Sequence, residues 1–246
     1  MVKGPRLRTV EKYAPPYKLN SFPAGFALAL GREIVYLLSS RGTPRLEGTD
    51  WEEIFARLVG AEWHPSNVGL DDVVLQQTAW GAKTVKNRRP STVSKVRLIS
   101  GRNSVSFSFG QEKVKNVNPD DMGDKVLAIY NERVSAVRKK YKHLRTVVLV
   151  KSDDLLELAV FEFDTIMYDS NAYWWQWNDN DNLEGYSKVG DKHTFTWQPH
   201  GSQFTIIEDV PEARLAIRIK QPPRLDRDVV LEALQFDESW VEVLSG

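Results

Sequence analysis

The chain has no cysteine among its 246 residues. That excludes disulfides, thiolate nucleophiles and Cys-ligated zinc, and a cytoplasmic location is the expectation. It has four histidines, His64, His143, His193 and His200, and no two of them have zinc-finger or HExxH spacing. No run approaches the ~20 apolar residues of a membrane span. Phe26 to Leu38 is too short, and Arg32 and Glu33 interrupt it. No basic segment with an apolar core and small-residue cleavage site opens the sequence. No GxGxxG or GxxxxGK[ST] loop occurs, which argues against a nucleotide cofactor or an ATPase motor. Ser202, in His200-Gly201-Ser202, lacks the GxSxG elbow of a serine hydrolase.

The formal net charge is zero, so global charge signals no nucleic-acid partner. Its distribution says more. From Lys83 to Asn116 nine cations (Lys83, Lys86, Arg88, Arg89, Lys95, Arg97, Arg102, Lys113, Lys115) face one acid, Glu112. Such a stretch is either a solvated surface or a phosphate-attracting patch. The apolar fraction of 41% and charged fraction of 27% are those of a soluble globular protein.

Periodicity divides the chain. Residues 1–23 are basic and proline-containing, an irregular lead-in. Ala24 to Ser40 has one apolar face at helical spacing, ended by Arg41-Gly42-Thr43-Pro44. A second helix starts near Thr49, with Trp51, Ile54, Phe55 and Leu58 on one stripe. Thr49 and Glu52 have capping-box spacing. Glu52 therefore has two compatible readings, a cap or a carboxylate aimed at the edge of a sheet. After the turn Pro65-Ser66-Asn67 come two short strands. The first, Val73-Val74-Leu75, is preceded by Asp71 and Asp72. The second carries Lys83 and Lys86.

Lys95 to Ser100 and Ser104 to Phe109 alternate with period two and read as strands, with Gly101-Arg102-Asn103 as the turn between them. Asp121 to His143 reads as a long helix, acidic at its start and basic at its end. Arg145 to Lys151 is apolar enough for a strand buried on both faces, and Leu155 to Tyr168 continues as strand. From Asn171 aromatics crowd among Asn and Asp. Strands are expected at Phe204–Glu208 and Arg214–Lys220, and a short helix at Arg227–Leu234. Residues 1–246 are expected to form one domain: an arm and helix (1–48), a core (49–168) and a recognition-like C-terminal part (169–246).

Glu52 on a helix, Asp72 ahead of a strand and Lys83 on the hairpin partner come in an order that resembles the PD-(D/E)xK nuclease superfamily, the fold of many type II restriction endonucleases. The resemblance covers Thr49 to Phe163, about half of the chain. It implies an α/β fold with a restriction-endonuclease-like mixed sheet flanked by helices, joined here to the aromatic-rich, β-containing C-terminal part. It implies that Asp72 and Glu52 hold Mg²⁺, and that Lys83 orients or helps activate the attacking water. The implied function is a Mg²⁺-dependent endonuclease of restriction or defence type, cutting double-stranded DNA as a homodimer.

Two residues depart from the family pattern. Leu70 precedes Asp71 where the motif often has Pro. Gly81 stands where (D/E)xK has its acid, and a glycine side chain ligates nothing. Glu52, or the amide of Gln77, would have to supply the missing oxygen.

The expected DNA contacts are Lys86, Arg88, Arg89 and Lys95 on phosphates. Arg97, Arg102, Gln198, His200, Ser202 and Gln203 have the donors and acceptors that read base edges. The tryptophans Trp174, Trp175, Trp177 and Trp197 either stack on bases or fill the core. A catalytically silent DNA-binding protein, or a module that meets a protein partner through its Trp-rich surface, are the alternatives.

Overall fold

A computed structural model describes residues 13–64, 69–110, 114 and 117–244. The expected turn at Pro65–Asn67, the charges Glu112, Lys113 and Lys115, and the first half of the N-terminal arm lie outside the described residues. Helix α1 (Phe26–Arg41) buries Phe26, Leu30, Ile34, Leu37 and Leu38. Helix α2 (Gly48–Val59) buries Trp51, Ile54 and Phe55. Its capping box differs from the expected Thr49–Glu52 pair. The Glu47 backbone N–H donates to Asp50 Oδ2 at 2.7 Å, and Arg41 holds the Asp50 carboxylate with two bonds of 2.7 and 2.9 Å. Asp50 at the third helical position has a charged partner that Glu52 lacks, so Glu52 takes no part in the cap.

Strands β1 (Glu62–Trp63), β2 (Val73–Leu75) and β3 (Thr78–Lys86) follow, the last two joined as a hairpin through Gln76 and Gln77. Strand β4 (Lys95–Arg102) runs through the residues expected to turn. Ser104 to Phe109 is not a strand. Val105–Phe109 forms helix α3, capped by Ser104 Oγ, which accepts from the Phe107 backbone N–H at 3.0 Å. Helix α4 (Pro119–Arg138) stops earlier than its periodicity suggests, and His143 opens strand β5 (His143–Lys151). Then come β6 (Glu157–Asp164), β7 (Tyr173–Trp177), β8 (Leu183–Ser187), β9 (His193–Gln198), β10 (Gln203–Asp209), β11 (Leu215–Arg218) and α5 (Arg227–Ala233).

These strands make two sheets. The first is mixed, in the order β1-β2-β3-β5-β6-β11, with β3 and β5 parallel and every other pair antiparallel. The second is antiparallel, in the order β4-β10-β9-β8-β7. Strand β4 thus leaves the run of strands that precedes it and pairs with β10, while β11 returns to the first sheet. The molecule is an α/β protein of mixed and antiparallel sheets flanked by helices.

Three apolar cores hold the layers. Helices α1 and α2 cover one face of the first sheet through Trp51, Phe55, Val73, Trp80, Val147 and Val160. Val96 and Leu98 of β4 pack on the other face, against Val148, Val150 and Phe161. Helix α4 lies between the sheets' ends, with Val126, Tyr130 and Val134 against Trp175, Phe195, Trp197 and Phe204. Trp175 and Trp197 are therefore core residues. The Trp175 ring occupies the space a side chain would need at Gly123 of α4, where a Cβ would lie 2.3 Å from it. No helix among the described residues is long and apolar enough to cross a membrane.

Candidate active site

The hairpin sets the site by alternation. Val73 and Trp80 are cross-strand partners and both point to the α1–α2 side. The pleat therefore turns Asp72, Gly81 and Lys83 to the opposite face, toward β4 and α4. Asp72 is 3% exposed, and its Oδ2 accepts from the Ala82 backbone N–H at 3.2 Å. Burial pushes its carboxyl up to about 6. The Lys83 ammonium opposes that shift, and the carboxylates of Glu52 and Asp71 add to it. Glu52 is tied at this end of the hairpin by Trp63, whose Nε1–H donates to Glu52 Oε2 at 3.1 Å. Asp71 is buried, with Lys140 Nζ 3.6 Å from its Oδ2.

Lys83 Nζ donates to the Gly69 carbonyl at 3.0 Å. Its side chain lines a narrow cavity between the sheets, with Leu98 and Ser100 of β4, Thr146 of β5 and Glu208 of β10. The glycine at position 81 has a steric cause. A Cβ on Gly81 would lie 2.9 Å from the Gly69 carbonyl oxygen and 3.1 Å from Leu70 Cα. The main chain leading to Asp71 passes directly over the strand, so no side chain fits there.

The structure thus brings Glu52, Asp71, Asp72 and Lys83 into one electrostatic group. Among the described residues, no three His, Cys, Asp or Glu side chains are placed to hold a metal ion together. Gln77 sits in the turn, where its carbonyl accepts from the backbone N–H groups of Lys142 and His143.

The expected DNA contacts fall into two sets. Arg88, Arg89 and Lys95 line one hollow; Lys86, Lys95, Arg97 and Lys192 line the next. Asp153 lies 3.5 Å from Lys86, and Asp209 3.9 Å from Lys95. The second set is on the second sheet. Register puts Gln203 beside both Arg102 and Gln198, and Arg97 beside Ile207. Their neighbours Leu98, Phe204, Ile206 and Trp197 fill the inner cores. Arg97, Arg102, Gln198 and Gln203 therefore share the outer face, and the thickness of the sheet separates them from Lys83. His200 is exposed at the β9–β10 turn, and the Ser202 carbonyl accepts from the Asn103 backbone N–H at 2.7 Å.

One buried acid escaped the sequence reading. Glu162 of β6, on the α1–α2 side, is fully buried. Its carboxylate accepts from Trp80 Nε1–H (2.7 Å), Tyr17 O–H (2.8 Å), the Asn20 backbone N–H (3.3 Å) and Arg145 Nη1–H (3.3 Å). Burial raises its carboxyl above the usual range against the pull of these donors. A Glu inside the apolar strand LAVFEF was the available signal. No protein-family model, curated protein or solved structure matches the chain.

Proposed function

We propose that this chain is a magnesium-dependent DNA endonuclease on a PD-(D/E)xK-type core, a restriction or defence enzyme acting on double-stranded DNA. The observation that carries the reading is Asp72. It is a buried carboxylate raised to about 6, beside a lysine and two further acids, and perturbation of this kind concentrates at functional sites. The order of elements supports it: α2, the β2–β3 hairpin, β4, α4, then β5 parallel to β3.

The donors suit magnesium, a hard cation that keeps several waters and takes one or two carboxylates. Asp72 and Glu52 would hold it, and their crowding is what a cation relieves. The bound ion would supply positive charge to the phosphoryl oxygens and acidify a water. Lys83, fixed through the Gly69 carbonyl, would orient that water. The cations of the two hollows would hold the phosphate backbone without regard to sequence.

Supercoiled plasmid DNA incubated with Mg²⁺ should be nicked or linearised, and EDTA or Asp72→Asn should abolish this. Undiminished cleavage by a folded Asp72→Asn protein would remove the assignment. The crowding at Gly81 and the lack of a third acidic ligand among the described residues favour a second reading, a silent DNA-binding protein on the same scaffold. Salt-dependent gel shifts without Mg²⁺-dependent cleavage would identify it.

A further inference from the structure

The segment from Leu225 to Leu244, after β11, is apolar and uncovered. Eight large apolar side chains between Leu225 and Leu244, among them Val229, Leu234, Trp240 and Val243, are 43–86% exposed. Helix α5 has no buried residue. A seven-residue helix has little stability of its own, and monomers rarely expose contiguous apolar patches beyond a few hundred Å². Eight side chains of this size present an area on the order of the ~800 Å² that one partner contributes to a standard interface. From Leu225 to Leu244 the segment is also acidic: Asp226, Asp228, Glu232, Asp237, Glu238 and Glu242 outnumber the single cation there, Arg227.

The same chain carries an uncovered surface of matching character. On the outer side of α1, Leu28 is 73% exposed, Tyr36 68% and Val35 37%. Arg32 lies among them, exposed and without an ion pair to any other described residue. The segment starts beside this helix, the Leu225 backbone N–H donating to the Ser39 carbonyl at 3.0 Å. Yet its own apolar residues stay exposed rather than folding back over Leu28.

We infer that the acidic, apolar C-terminal segment of one chain docks on the outer face of α1 in a second copy. Both halves of the contact are present on every chain. Exchanged reciprocally between two copies, the contact closes as a two-fold dimer, in which residue i meets j and j meets i. The apolar side chains supply the attraction, and Arg32 against the acids sets the direction.

The absence of cysteine allows a direct test in the full-length chain. Leu28→Cys and Trp240→Cys proteins are prepared separately, mixed, and treated with a short bis-maleimide. The expected result is a covalent dimer that forms in the mixture far more than in either protein alone. Sedimentation equilibrium should give twice the chain mass for the unmodified protein. Leu28→Glu, and separately Trp240→Glu, should bring it to the monomer mass with unchanged far-ultraviolet circular dichroism. A monomer at 100 µM (roughly the concentration at which a contact of about 5–6 kcal/mol is half formed) would overturn the inference. So would a dimer indifferent to both glutamates, or a cross-link confined to a Leu28→Cys/Trp240→Cys double variant at monomer mass.

Discussion

Glu162 and Asp72 are buried on opposite faces of the same sheet, and burial raises both carboxyls. Their partners differ. Glu162 meets four donors, including the guanidinium of Arg145. These tie the segment around Tyr17 and Asn20 to the sheet. Among the described residues, the Asp72 carboxylate accepts one hydrogen bond, from the Ala82 backbone N–H. Lys83, the cation beside it, donates its hydrogen bond to the Gly69 carbonyl instead, and the carboxylates of Glu52 and Asp71 repel the ionised Asp72. A satisfied buried charge belongs to the architecture. An under-satisfied one among like charges contributes nothing to that architecture and stands apart from it. The pair shows that burial and the direction of a pKa shift alone do not distinguish two carboxyls; the donor count does.

The comparison can be broken most strongly at Glu162. Glu162→Gln leaves the buried Arg145 guanidinium with only the exposed Asp164, 4.0 Å from its Nε, as counter-charge, and removing one partner of a buried pair typically costs ~3–5 kcal/mol. Urea unfolding at pH 7 should show that loss, while Mg²⁺-dependent cleavage below the new melting temperature stays intact. A Glu162→Gln protein of full stability would mean the network does not hold the N-terminal segment.

Asp72→Asn should act in the opposite sense. The folded state raises this carboxyl from 3.8 to about 6, so it binds the proton more tightly than the unfolded chain does. The stability this contributes is complete below the unfolded value and is lost as pH rises through about 6. Two pKa units correspond to roughly 3 kcal/mol. The wild type should therefore lose stability between pH 4 and 7, and Asp72→Asn should remove that loss, apart from smaller contributions of other groups. Parallel pH profiles for the two proteins would contradict it.

Gly81→Ala tests the crowding over β3. Its Cβ would meet the Gly69 carbonyl at 2.9 Å, and overpacking of this kind costs ~1–3 kcal/mol. Gly81→Glu, which adds an acid at this position, should unfold at lower denaturant still and gain no cleavage. A gain would show that the Gly69–Leu70 chain moves aside.

The smallest contrast is on α2. Glu52→Gln removes a like charge from Asp72, so the Asp72 carboxyl should titrate lower by NMR while cleavage needs more Mg²⁺. Glu53→Gln breaks only the exposed pair with Arg57, worth about 0.3–0.5 kcal/mol, and should leave cleavage unchanged. Equal effects of the two would remove Glu52 from the site.

The strongly periodic elements were legible. The stripe of Trp51, Ile54 and Phe55, the β2–β3 hairpin and the continuous apolar run of β5 each bury the face their spacing indicates. Ser104 to Phe109 departs from the expected strand because six residues alternating Ser with Val or Phe fit either period. Phe107 is 94% exposed, as no buried strand residue would be, and the Ser104 cap was the better signal. The placement of β4 beside β10 rests on pairing with residues far along the chain, which local patterns do not carry. Gly81 looks like a deleted acid in sequence. Only the path of Gly69 and Leu70 over the strand gives the reason.

The two acids each hold an indole: Trp63 donates to Glu52 and Trp80 to Glu162. Indole emission responds to the charge its N–H points at. The protein therefore carries a built-in optical readout at each carboxylate. The signal lost in Trp63→Phe reports on Glu52 when salt, pH or a cation changes. The signal lost in Trp80→Phe, from a residue sealed away from solvent, is the internal reference.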